Sequence, residues 1–383
     1  PRTSSAASDV YKRQGKQVFS TITKGGQLEL SVADVETPTP GPDDVIVRIE
    51  AAPINPSDMG PLFGPASIDE ARVQDAKLVA PVPENRMGMV ASRLDQTLPV
   101  GNECAGTVIA TGDSDAAKAL DGKLVSIMPG AAYAQYACVP AATCLVHNDT
   151  TSPQRAASSF VNPLTALCFL ETMRLENHTG FVHTAAASNL GQMLVRLCQA
   201  EDVPLVNIVR SEEQAATLAA LGAKHICNSA DADFIDRLTD TLIETGITLG
   251  FDAIGGGKMA SDILTAMERA ASRNASGLNT YGSSELKQVY LYGSLDFSPT
   301  TLNRAYGMAW SIGGWLMPML LARIGRERTG ELRQRIADEI DTVFASDYTA
   351  ELSLHEMITP QAIARYLPKK TGEKYLVTPQ KDL

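Results

Sequence analysis

The chain has 383 residues, 44% of them hydrophobic, which is apolar material for two cores rather than one. A formal charge of -11 and a pI near 5.0 argue against a nucleic-acid backbone or an anionic membrane surface as partner. No apolar run approaches the ~20 residues of a membrane span, and the six cysteines stand singly in apolar segments with no C-x-x-C pair, as reduced core residues of a cytoplasmic protein do.

Residues 1–14, PRTSSAASDVYKRQ, lack an initiator methionine and resemble a translated sequencing adapter; they are expected to be foreign to the fold. From Lys16 the pattern is that of β-structure. QVFSTI, a Gly25-Gly26 turn and QLELSVADV are followed by a proline-rich break and by DVIVRIEAAPI, alternating with period two. Strands of this length separated by turns predict an antiparallel, barrel-like domain.

The segment ETPTPGPDDVIVRIEAAPINPSD resembles the medium-chain dehydrogenase/reductase superfamily, in particular its quinone oxidoreductase and 2-enoyl thioester reductase branch. LPVGNECAGTVIATG is similar to that family's G-x-E-x-x-G-x-V segment and SFVNPLTALCFLE to its VNP-x-TA helix, and the closing TGEKYLV also fits. The resemblance covers nearly everything after Gly15. It implies a GroES-like, mostly antiparallel β-barrel catalytic domain (15–158 with 315–383) and a doubly wound parallel Rossmann domain binding NADP(H) (159–314). It also implies a small-molecule substrate and, by analogy, a homodimer paired through edge strands.

The same resemblance raises the question of zinc. A catalytic zinc site would need a soft or imidazole ligand in the first loop and a histidine before Glu103. The loop offers Asn55, Ser57 and Asp58, Asn102 stands where the histidine would be, and the four closely spaced cysteines of a structural site are missing. A zinc-free enzyme is therefore expected. The resemblance places Asn55, Ser57 and Asp58 at the floor of a substrate cleft and Asn162 and Thr165 near the nicotinamide. Read from the residues alone, N-P-S-D is also an ordinary Asx or Ser turn.

Between Gly64 and Leu98 lies a long connection containing Met87, Met89 and Val90, read either as a pocket lining or lid or as a loop packed down by its methionines. The family's enoyl thioester reductases carry a tyrosine after the N-P-[SA]-D turn. Here Phe63-Gly64-Pro65 stands in that neighbourhood, and no tyrosine occurs between Asp58 and Tyr133. Water or another donor would then protonate the product, or the substrate would be a quinone or another carbonyl-conjugated acceptor.

Phe181 to Ala200, FVHTAAASNLGQMLVRLCQA, reads as strand, tight turn and helix, which gathers unpaired backbone N–H groups and a helix dipole where a pyrophosphate would sit. The candidate cradle is Ala187, Ser188, Asn189, Leu190 and Gly191. Only Gly191 falls on a glycine of G-x-G-x-x-G, and Asn189 is expected to take the left-handed geometry the turn needs. The next strand, VPLVNIVR, ends at Arg210, which with Ser211 suits a 2'-phosphate, where an acid would favour NAD; a solvated strand-end charge is the plainer reading.

Further strands and helices alternate to about Trp310, the pattern of a parallel, doubly wound sheet. Loops at the carboxyl ends of such strands converge on the cofactor, adding Ile254, Gly255, Tyr292, Gly293 and Ser294 to the candidates. Trp315, just beyond, would be near the cofactor by resemblance or in the core by composition. His183 reads as a packed strand residue rather than a ligand.

The function expected is zinc-independent, NADPH-dependent reduction of an activated C=C in an enone or a 2-enoyl thioester. A quinone oxidoreductase and a non-catalytic nucleotide-binding homologue are the alternatives.

Overall fold

The structure, a computed structural model, describes residues 14–274 and 280–382. The excluded opening stretch lies outside the described residues except for Gln14, which begins the first strand. The chain divides into two compact units, one of residues up to Val161 with Ser346 onward, the other Asn162–Ala345.

In the first unit the alternating apolar residues close two sheets over one core. Gln14–Ile22 pairs antiparallel with Gln27–Glu36 in nine-residue register, and Val18, Ile22, Leu28 and Leu30 all point inward with no exposure. Asp44–Pro53 is the hub of the second sheet. It pairs antiparallel with Cys104–Thr111, Tyr136–Pro140 and Tyr375–Val377, so the closing TGEKYLV returns to the strand that carries the N-P-S-D turn. The barrel-like expectation holds.

The Gly64–Leu98 connection departs from the expectation of a long loop. Arg72–Gln74 and Lys77–Pro81 form a hairpin turned by Asp75 and Ala76, both at positive φ, and Lys77–Pro81 adds to the first sheet beside Gln27–Glu36. Val90 is buried, Met87 packs on the core and Met89 is 73% exposed, so these three side chains do not act together.

The second unit is one parallel sheet. Its strands are β1 (Phe181–His183), β2 (Leu205–Val209), β3 (His225–Asn228), β4 (Leu249–Asp252), β5 (Lys287–Leu291) and β6 (Trp310–Gly314). Their order is β3-β2-β1-β4-β5-β6, the doubly wound arrangement, with the order reversing at β1. Helices such as Asn189–Ala200 and Phe234–Thr245 bury one stripe and show the other to solvent. The Gly255–Gly257 run also forms a small parallel ribbon with Asp296–Thr300, which the sequence pattern did not announce.

The domain boundary expected at 314/315 shifts to Ala345, because the helical segment after β6 is tied to the nucleotide unit by charge. Arg328 reaches Glu171 with two nitrogens (2.7 and 3.1 Å), Arg335 pairs with Glu201 (2.6 Å), and Arg196 donates to the carbonyls of Val343 and Ala345. No helix among the described residues is long and apolar enough to cross a membrane.

Candidate functional site

In the second unit the site is built where β1 meets the helix Asn189–Ala200. Ser188 is the N-cap, its hydroxyl accepting from the Gly191 amide (3.2 Å). The helix passes so close to the preceding turn that a Cβ on Gly191 would lie 1.9 Å from the Ala186 carbonyl oxygen. This is the close approach a nucleotide-binding glycine provides. The left-handed residue, however, is Ala185 (φ 49) and not Asn189, which opens the helix. An αL alanine in the turn spares Asn189 that duty, and with it the need for the motif's other glycines.

Behind this turn Asp252, at the end of β4 and fully buried, accepts from the Thr184 hydroxyl (2.7 Å) and from the amides of Ile254 (2.9 Å) and Gly255 (3.2 Å). One carboxylate thereby ties the β1 and β4 loops into a fixed rim, although burial pushes its pKa up. Asp252 was readable as part of FDAIGGG but not as its organiser.

Arg210 lies exposed at the end of β2, its amide donating to the Gln214 side chain (3.1 Å), while Ser211 caps the helix Glu212–Ala220 through the Gln214 amide. Two acids, Glu212 and Glu213, follow, and Glu212 accepts from Asn228 (3.2 Å). Tyr292, Gly293 and Ser294 leave β5 and line a cleft of about 400 Å³ with Gly255 and Gly256. Asn162 is buried, and Thr165 makes a long contact to the Met317 sulfur (3.8 Å). Trp315, half-buried, donates its indole N–H to Thr172 (3.0 Å) and packs edge-on against Phe169.

In the first unit the N-P-S-D turn anchors a buried polar network. Asn55, 1% exposed, donates its amide to Glu103 (2.9 Å) and accepts from the Lys374 ammonium (3.3 Å), which also donates to Ser158 (2.9 Å). Glu103 further accepts from the amides of Phe160 (2.7 Å) and Val161 (3.0 Å). Burial pushes the Glu103 carboxyl up while the Lys374 charge opposes the shift; burial pulls Lys374 down to about 8. Asn55 therefore works as the bridge between a buried acid and a buried base, its amide committed on both ends.

Asp58 accepts from the amides of Asn55 (2.8 Å) and Asn102 (3.0 Å), and Ser57 accepts from the Asn102 side chain (3.0 Å). The turn and the G-N-E segment are thus stitched together. Sequence reasoning named Asn55, Ser57 and Asp58 but missed Glu103 and Lys374 as their partners. The signal was there in NEC and GEKY, two charged residues inside apolar strand patterns.

Burial pushes Asp58 up to about 7, against backbone bonds that pull it down. Between pH ~4 and ~7 the unfolded chain has lost this proton and the folded chain keeps it, so this group's contribution to stability falls as pH rises through that window. Asp58→Asn should flatten the fall. Urea unfolding at several pH values checks this: the stability difference between variant and parent should change with pH in the parent's disfavour, and a constant difference would contradict it.

Among the described residues no group of three or more His, Cys, Asp or Glu is placed to hold a metal ion. All six cysteines are free thiols.

No family model matches the chain. A 255-residue stretch, 64% of this chain, is 28% identical to the mitochondrial enoyl-[acyl-carrier-protein] reductase of Arabidopsis thaliana and covers 60% of that protein. Over 224 residues, 58% of the chain, it is 25% identical to prostaglandin reductase-3 of Mus musculus, covering 52% of it. The match thus spans little more than half the length of either relative. The solved structure of a Mesorhizobium loti protein named for NADPH:quinone reduction is similar over 96% of this chain and 98% of its own, with a TM-score of 0.70 and 26% identity.

Proposed function

We propose that this chain, a member of the zinc-independent branch of the medium-chain dehydrogenase/reductase superfamily, reduces an activated carbon–carbon double bond with NADPH. The observation that carries the reading is the close passage of the Gly191 helix over the Ala186 carbonyl, with Ser188 as cap, at the sheet's reversal point.

The residues present fit the cofactor. The Ser188–Gly191 helix terminus would hold the pyrophosphate, the Asp252-braced rim would keep the loops of β1 and β4 in place, and Arg210 would meet a 2'-phosphate. When bound, the reduced nicotinamide supplies a hydride, which adds to the β-carbon of a conjugated carbonyl compound while a proton reaches the α-carbon or the oxygen. Arg210→Ala should weaken NADPH about tenfold, ~1.4 kcal/mol, and NADH much less. Calorimetric titration of both nucleotides checks this, and equal losses would remove Arg210 from the site.

A second reading, quinone reduction, is favoured by one observation. Tyr133, the first tyrosine after the N-P-S-D turn, is wholly buried and donates its hydroxyl to the Pro53 carbonyl (3.2 Å), so it is committed within the barrel. A quinone takes hydride and proton without a dedicated acid at carbon. NADPH oxidation with enoyl-CoAs, enones and quinones tests the assignment: turnover of the first two classes supports it, turnover of quinones alone moves it to the second reading, and binding without turnover marks a non-catalytic homologue. The expected homodimer is supported by β6, which ends the six-stranded sheet with an open edge among the described residues.

A further inference from the structure

At the carboxyl ends of β2 and β3 the chain sets a cation and an anion two residues apart and keeps them from pairing. Arg210 follows β2 directly and is exposed, and among the described residues its guanidinium makes no ion pair or hydrogen bond. Ser211 is extended (φ -157°, ψ 157°), which sets its two neighbours on one side of the chain, so Glu212 stands within easy reach of that charge. The pair nevertheless does not form. The Glu212 carboxylate accepts instead from the side-chain amide of Asn228, at the end of β3 (3.2 Å).

Asn228 is itself held, because it is 7% exposed and its own oxygen accepts from the Ala230 amide (3.1 Å). Its amide group therefore has one orientation, with the nitrogen toward Glu212. Only one oxygen of that exposed carboxylate is taken up by Asn228, and the other is open to a donor. A carboxylate accepts hydrogen bonds and donates none, so it matches a sugar hydroxyl and opposes a phosphate. An acid just beyond the second strand of a doubly wound sheet is placed to meet the adenosine ribose, and an arginine there a 2'-phosphate. This chain has both.

We infer that Glu212, held off Arg210 by Asn228, is a specificity-determining residue: its open oxygen accepts from the ribose 2'-hydroxyl of NADH, and its charge opposes the 2'-phosphate that Arg210 attracts. The inference rests on the reductase reading above and deepens it. Arg210 sets the preference for NADPH, Glu212 narrows it, and Asn228 is the positioning residue that lets the two act separately.

Calorimetric titration of the folded protein with NADPH and with NADH tests this through the ratio of the two affinities. Glu212→Gln keeps the side chain's size and removes its charge; NADPH should tighten and NADH weaken, each about threefold, moving the ratio by about tenfold toward NADPH. Glu213→Gln removes the same charge one residue on and should move the ratio much less. An unchanged ratio in Glu212→Gln, or an equal change in Glu213→Gln, overturns the assignment, the second because it would mark a diffuse field rather than a contact. Asn228→Ala releases Glu212 to close on Arg210 and should weaken NADPH in the parent but not in the Glu212→Gln background. A loss that persists in that background, or no loss in the parent, overturns the role given to Asn228. A parent protein that binds neither nucleotide overturns the reductase reading together with this one, whereas binding with an unmoved ratio overturns this one alone.

Discussion

Gly191→Ala should abolish measurable NADPH binding and destabilise the nucleotide unit by about 3 kcal/mol, the upper end of ordinary overpacking. The new methyl carbon would stand 1.9 Å from the Ala186 carbonyl oxygen, 2.5 Å from its carbon and 2.8 Å from its Cα, all backbone atoms. That backbone has little room to yield: the Ala186 amide is bonded to the Ile208 carbonyl (3.1 Å), and Ala185 already sits at positive φ. Relief therefore has to come from moving the helix terminus, which is the proposed pyrophosphate site. Gly330→Ala is the control. Gly330 lies on an exposed helix with nothing within 4 Å of the added carbon, and should gain up to about 1 kcal/mol. Thermal unfolding and calorimetry of both variants check the pair; undiminished affinity in Gly191→Ala would take the turn out of the site.

Lys374→Met should cost the first unit about 3–5 kcal/mol, because it removes the compensating charge and leaves Glu103 buried with only neutral donors. The two charges make no direct salt bridge among the described residues; they communicate through the Asn55 amide, which donates to one and accepts from the other. A methionine fills the space of the lysine stem but gives the Asn55 oxygen and the Ser158 hydroxyl nothing in return. For a unit of this size the loss corresponds to a fall in Tm of roughly 10 °C. Glu103→Gln combined with Lys374→Met removes both charges and should recover much of the loss, since a buried pair replaced together is often close to neutral. A double variant as unstable as the sum of the two single ones would show that the charges are not coupled.

The architecture was legible because it rests on periodicity. Short strands such as β2 (LVNIV) alternate with helices in the second unit, and the barrel strands alternate with period two, so both patterns survive without any knowledge of contacts. Around the turn, the sequence singled out Gly191 as the motif's glycine, and the close approach to Ala186 agrees with that; Ser188, read only as occupying a glycine position, is the helix N-cap, a role the sequence reading did not give it. Asn189 was misjudged because the turn's strain fell on Ala185, a residue whose type gives no hint of left-handed geometry.

What could not be read were the long-range polar partners. Glu103 and Lys374 are 271 positions apart, Asp252 braces Thr184 across 68, and Arg328 holds Glu171 across 157. Such pairs obey no local pattern; they appear as isolated charges in apolar strands, and only the closed fold shows which satisfies which. The last of them also belongs to the shifted domain boundary, since the resemblance assigned everything from Trp315 onward to the barrel domain, while the helical segment after β6 falls with the nucleotide unit. The 64–98 connection was opaque for a related reason. Its strands are three and five residues long, too short to establish a period, and they are held by pairing with Gln27–Glu36 rather than by their own propensity.

The measurement that bears most directly on the whole account is calorimetric titration of the folded protein with NADPH and with NADH. Uptake of one NADPH per chain, tighter than NADH, is the predicted result. A folded protein that takes up neither nucleotide would contradict the assignment of the Ser188–Gly191 turn and Arg210 to a phosphorylated nicotinamide cofactor.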